Sequence, residues 1–87
     1  MKIRDGFVLR RVGGQPVALA LGEASRDFNG LIRLNESGAA LWERLQKDCT
    51  AEELCAVLLA RYDVSAAAAK RDTDAFLETL RSAHALA

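Results

Sequence analysis

The hydrophobic period of this sequence changes once, at Leu34/Asn35, and that change limits the fold more than any other feature. Ahead of it the pattern is that of strands. Phe7–Val12 is rich in residues that favour extended backbone, and Gly13-Gly14 follows, a pair suited to the positive φ angles of a tight hairpin turn. Val17 to Leu21 alternates large and small residues, so Val17, Leu19 and Leu21 share one face, and Pro16 stands at the strand's start, where its missing N–H does least harm. Gly22–Asp27 reads as a polar loop. Phe28–Leu34 reads as a third strand, with Phe28, Gly30, Ile32 and Leu34 on one face and Asn29, Leu31 and Arg33 on the other. Leu31 is the outlier, because its face is otherwise expected to be polar.

Behind the change, the period is helical and each segment has a start signal. Asn35 can cap a first helix, with Leu34 and Ala39 placed for a hydrophobic staple and Leu41, Trp42 and Leu45 as its apolar stripe; Lys47-Asp48-Cys49 ends it. Thr50-Ala51-Glu52-Glu53 is a capping box for a second helix, which turns Leu54, Val57, Leu58 and Tyr62 inward. Tyr62-Asp63-Val64 connects to a third helix capped by Ser65, whose inward stripe is Ala69, Thr73, Phe76, Leu77, Leu80 and Ala83. The expected fold is α+β, three antiparallel strands followed by three helices in the order βββααα, as one domain over residues 1–87.

Composition narrows the function. A chain of 87 residues is too short for an active-site cleft between domains, and its 12 basic and 12 acidic side chains cancel. A small nucleic-acid binder needs a basic excess for phosphate contacts, so DNA or RNA is disfavoured as a partner. The cancellation conceals a split: Met1–Leu34 carries net +3 and Asn35–Ala87 net −3. No apolar run approaches the about 20 residues of a membrane span, and no secretion signal opens the chain, so the expected setting is the cytoplasm, with Cys49 and Cys55 reduced.

The residues offer little chemistry. His84 is the only histidine and stands near a terminus expected to fray, with no partner to activate it. Cys49 and Cys55 lack the spacing and the second ligand pair of a zinc site. Gly13-Gly14 lacks the lysine and following helix of a phosphate loop. Glu52 and Glu53 suit a helix N-terminus without any catalytic role. The reading is therefore no catalytic residue, no metal and no cofactor. What remains is an edge. Three strands paired in chain order leave the third unpaired on one side, and such an edge can accept an added strand.

The run Gly30-Leu31-Ile32-Arg33-Leu34-Asn35-Glu36-Ser37-Gly38-Ala39-Ala40-Leu41-Trp42 resembles the strand-to-helix signature of the PqqD-like proteins, the recognition elements for ribosomally made, later-modified peptides. Thr50-Ala51-Glu52-Glu53-Leu54, Leu58, Tyr62-Asp63-Val64, Arg71-Asp72 and Phe76-Leu77 with Leu80 are similar in order, so the resemblance covers nearly the whole chain. Thr73, where an aliphatic residue is common, and the ending Ala83-His84-Ala85-Leu86 depart from the pattern.

The resemblance implies a winged-helix-like fold and a non-catalytic peptide chaperone. It would hold the leader of a precursor peptide as an extra strand on strand three, in a groove walled by helix three. It would then present the leader to a modifying enzyme, often a radical S-adenosylmethionine enzyme. Carried over by position, Asn29, Gly30, Leu31, Ile32 and Arg33 supply the ladder and Leu31 meets apolar leader side chains. Thr73 and Leu77, with Lys70, Asp74 and Arg81 beyond them, form the expected groove wall, and Arg33, Lys70 and Arg81 meet acidic leader residues. The opposite helix border, near Asp72 and Ala75, is the alternative wall. A winged-helix DNA-binding module and a homodimer pairing through the same edge remain the competing readings.

Overall fold

The computed structural model describes residues 1–87. Its elements are β1 (Phe7–Val12), β2 (Gln15–Ala20), α1 (Ala24–Asp27), β3 (Leu31–Arg33), α2 (Glu36–Arg44), α3 (Ala51–Arg61) and α4 (Ala66–Ser82). The strands form one antiparallel sheet in the order β1-β2-β3. The α+β architecture expected from the sequence is present, and the three long helices begin at the expected caps. Asn35 accepts from the Gly38 N–H, Thr50 from that of Glu53 and Ser65 from that of Ala68. Gly13 and Gly14 have φ of 59° and 82°, as the hairpin between β1 and β2 requires.

Three segments differ from expectation. The polar loop Gly22–Asp27 contains the single turn α1, and Arg4 holds it to the chain start through an ion pair of 2.7 Å with Asp27. The third strand is short: ladder pairing begins at Leu31, and Phe28 instead turns its ring to Phe7 at 6.2 Å between centroids. The tail also departs from the fraying expected of it. The Arg4 N–H donates to the Ala85 carbonyl and the Ala87 N–H to that of Lys2, so Ala85 is buried while His84 stays exposed.

The core lies between one sheet face and the three long helices. It takes Phe7, Ala18, Ile32 and Leu34 from the sheet side, and Leu41, Trp42, Leu45, Leu54, Leu58, Ala69, Phe76, Leu77 and Leu80 from the helices. The sheet therefore offers its small-residue row inward. Ala18 is fully buried at the centre, while the large residues Val17, itself buried on the other face, Leu19 and Leu21 fall outside the core cluster. Small side chains on that row let the helices approach the strands closely.

Leu54 is fully buried on α3. Leu54→Ala is expected to lower stability by about 2–5 kcal/mol, read from the midpoint of urea unfolding at unchanged m value.

The Glu53 carboxyl is held below the usual glutamate range, first by the Thr50 backbone N–H that donates to it at 3.0 Å and further by the Arg44 guanidinium. A lowered folded-state pKa means that the cap's contribution is present at neutral pH and lost as pH falls through that lowered value. The Thr50 amide shift should titrate below the usual glutamate midpoint, and Glu53→Gln should abolish that titration while keeping the helix.

Candidate peptide-binding edge

The hydrogen-bond phase of the sheet decides which groups β3 offers. The Leu34 N–H donates to the Pro16 carbonyl at 3.0 Å, and the register continues through Arg33 opposite Val17, Ile32 opposite Ala18 and Leu31 opposite Leu19. Hydrogen-bonded pairs alternate along an antiparallel ladder. Ile32 therefore spends its backbone groups on Ala18, whereas Leu31 and Arg33 turn their N–H and C=O away from β2, toward the open side. The β1 side agrees: the Leu21 N–H donates to the Gly6 carbonyl at 2.7 Å, which gives odd-numbered β2 residues to β1 and even-numbered ones to β3.

Side chains follow the same alternation. Ile32 and Leu34 point into the core, while Leu31 (61% exposed) and Arg33 lie on the opposite, outer face. That face is less polar than the sequence suggests. Cross-strand pairing puts Val8, Arg10, Val17 and Leu19 on it, so Leu31 is the end of an apolar row through Leu19 and Val8. Neither Arg10 nor Arg33 forms a salt bridge, and no strand carries an acidic residue. The outer face is thus a local cationic surface on a neutral chain.

The other expected residues fall in three places. Asn29 and Gly30 are exposed and precede the ladder. Thr73 and Leu77 are buried in α4's inward stripe, where the Cys55 thiol donates to the Thr73 hydroxyl at 3.5 Å. Lys70 pairs with Asp74 at 2.9 Å, and both line a hollow against α3 with Ala51, Glu52, Cys55, Ala56 and Leu59. Arg81 stays exposed, 4.0 Å from Glu78. The structure therefore brings Leu31 and Arg33 together on the edge, and places Lys70 and Asp74 beside α3.

The opposite border of α4 faces the segment that follows β3 across a hollow. Asp72 shares a hollow of about 250 Å³ with Asn35, Ser37, Leu58, Tyr62 and Val64, immediately past the C-terminal end of the strand. Sequence reading treated Tyr62-Asp63-Val64 as a connector. The sequence also turns Tyr62 inward with Leu54 and Leu58, but the helix ends at Arg61 and leaves Tyr62 37% and Val64 36% exposed, a pair of large hydrophobic residues at this hollow. No group of three His, Cys, Asp or Glu side chains is arranged to hold a metal ion. Burial pushes the Cys49 thiol up, which leaves it protonated and inert at neutral pH.

A three-stranded sheet whose β3 edge is unpaired and partly apolar, backed by a capped three-helix layer, is the build of a small winged-helix-like domain. The profile of the family described as coenzyme PQQ synthesis protein D (PqqD) matches residues 7–86, and the chain belongs to that family. Among solved structures, TbiB1 in complex with the TbiA(beta) leader peptide is 27% identical with a TM-score of 0.77, over 99% of this chain and 94% of that one. A lasso peptide synthetase B1 complexed with the leader peptide is 21% identical with a TM-score of 0.70, over 92% of this chain and 88% of that one, a likeness of fold. Comparison with curated proteins finds no match. No helix is long and apolar enough to cross a membrane.

The ladder phase makes a direct expectation for the free protein. In hydrogen–deuterium exchange, the Ile32 and Leu34 amides should be protected, whereas those of Leu31 and Arg33 should exchange at near-unprotected rates. Equal protection across 31–34 would mean that the edge is covered.

Proposed function

We propose that this chain captures the leader of a ribosomally made precursor peptide as a fourth strand on β3 and presents it to a modifying enzyme, itself performing no reaction. The observation that carries the reading is the alternation at the edge: Leu31 and Arg33 have free outward backbone groups, and Leu31 is an exposed leucine on the strand that would receive the peptide. An added strand completes those hydrogen bonds, and side-chain contacts supply specificity. Membership in the PqqD family and likeness to a leader-bound protein of 27% identity support it.

In this reading Leu31 and Arg33 are the central contacts, Asn29 and Gly30 extend the edge, and Ile32 holds the strand to the core. The groove wall is the border of α4 that carries Asp72 and Ala75, because Asp72 lies at the end of β3 while Lys70 and Asp74 lie against α3. Arg81 sits nearer the helix end and acts, with Arg33, by steering acidic peptide segments. The enzyme served belongs to the class that tailors such precursors, with radical S-adenosylmethionine enzymes the family's frequent partner, and the setting is the cytoplasm, where precursors are made. DNA binding fits less well. Along α4, Lys70 pairs with Asp74, Arg71 lies 3.9 Å from Asp72 and Arg81 4.0 Å from Glu78, so the helix presents neutralised charges to a phosphate backbone.

The test is a titration of the labelled protein with the leader of the precursor encoded beside its gene. Exchange at the Leu31 and Arg33 amides should slow on binding while that at Ile32 stays as it was. Leu31→Asp should weaken binding by more than about 1 kcal/mol, since it places a charge in an apolar contact, and should leave the unfolding midpoint nearly unchanged because Leu31 is outside the core. A leader that binds without slowing Leu31 and Arg33 would overturn the reading.

A further inference from the structure

The edge has a register, and the register has chemistry. A strand added to β3 in the sense of the existing sheet runs antiparallel to it. The outward groups of Leu31 and Arg33 then form two hydrogen-bonded pairs with peptide residues two positions apart. In such pairs the side chains lie directly opposite one another on the same face. Both pairs project to the outer face. There Leu31 continues the apolar row through Leu19, and Arg33 stands opposite Val17 with no carboxylate on any strand to pair with it. The peptide residue between the two turns its side chain to the helical side.

The hollow beyond Arg33 adds a third position. It lies where β3 gives way to Asn35, so an antiparallel peptide reaches it with the residues that precede its paired segment. Leu58 is its buried floor. Tyr62 and Val64, 37% and 36% exposed, are two of the six large hydrophobic residues left at the surface. Its volume of about 250 Å³ is below the roughly 300–1,000 Å³ of small-molecule pockets, which suits one large side chain.

Resting on the capture of a peptide at β3, we propose that this edge selects a particular peptide class. Read from its N-terminus, the peptide carries a large apolar residue for the hollow at Tyr62 and Val64. An acidic residue opposite Arg33 follows about two to four positions later, a distance set by the strand rise of roughly 3.4 Å per residue. An apolar residue opposite Leu31 comes two positions after the acid. Arg33 is the specificity-determining charge, and the hollow fixes the register by giving the flank of the peptide one place to sit.

The experiment is selection of random dodecapeptides displayed on phage against the whole chain and, in parallel, against Arg33→Glu and Val64→Asp. These exposed positions leave the core intact, and circular dichroism confirms folding before selection. Wild-type protein should enrich peptides with an acidic residue two positions before an apolar one and a large apolar residue upstream. Arg33→Glu should bind those peptides about three- to ten-fold more weakly, in keeping with a partly solvated charge pair, and should itself enrich a basic residue in place of the acid. Val64→Asp should lose the upstream apolar preference and keep the acidic one. A spin label on the N-terminus of a selected peptide should broaden Tyr62 and Val64 more than Asn29. Peptides that slow Leu31 and Arg33 exchange with no acidic preference, or whose label broadens Asn29 instead, would overturn this inference and leave strand capture standing. If no enriched peptide protects Leu31 and Arg33, strand capture fails and the inference falls with it.

Discussion

The structure depends on how the central strand divides its backbone between two neighbours. Gln15, Val17, Leu19 and Leu21 turn their groups toward β1 or its approach, and Pro16 and Ala18 turn theirs toward β3. Pro16 is tolerated because it meets β1 at a non-bonded position and β3 at the last rung, where its carbonyl alone is needed by Leu34. The same division fixes the faces. Once Ala18 and Ile32 are bonded to each other with their side chains in the core, Leu31 and Arg33 must look outward in both senses, with side chains to the outer face and backbone groups to the open edge.

Much of this was legible in the sequence because local signals and global fold agree. The caps at Asn35, Thr50 and Ser65, the Gly13-Gly14 turn and the inward stripe of α4 each read correctly, since each is set by interactions within a few residues. The expectation about the outer sheet face failed for a physical reason. Alternation reveals which residues share a face, but only packing decides which face is inward, and here Ala18 faces the helices while Val17 and Leu19 do not. The length of β3 was overread for a related reason. Phe28 has high strand propensity and is used instead as a partner for Phe7, so pairing starts three residues later.

The helix-side contacts were legible only as a choice between two borders of one helix. A wheel places Lys70 and Asp74 on one side of the α4 stripe and Asp72 on the other, and nothing in the sequence orients that wheel about its neighbours. In the structure Lys70 and Asp74 share a hollow with α3 residues alone, whereas Asp72 shares one with Asn35 just past β3 as well as with Leu58 and Tyr62, and the proposed groove wall rests on that difference. The split of charge along the chain gains a spatial meaning in the same way. Arg11 and Arg4 in the positive half are paired with Glu36 and Asp27, so its cations without a salt bridge are Lys2, Arg10, Arg26 and Arg33, and Arg10 and Arg33 stand on the outer face of the sheet.

An open edge invites self-association, and the register argues against it here. Two copies pairing antiparallel through Leu31 and Arg33 can set Arg33 opposite the partner's Leu31, opposite the partner's Arg33, or opposite the partner's Asn29, if the outward phase is kept. None of these pairings offers a carboxylate, and one sets like charges face to face, which is destabilising in a cross-strand pair. Three paired residues provide little else to offset that. A short strand bearing one unpaired charge is a common guard against edge-to-edge aggregation, and under the proposed strand capture the same guard acts as a filter. A segment that brings an acid to Arg33 and an apolar residue to Leu31 removes the penalty that keeps a second copy away.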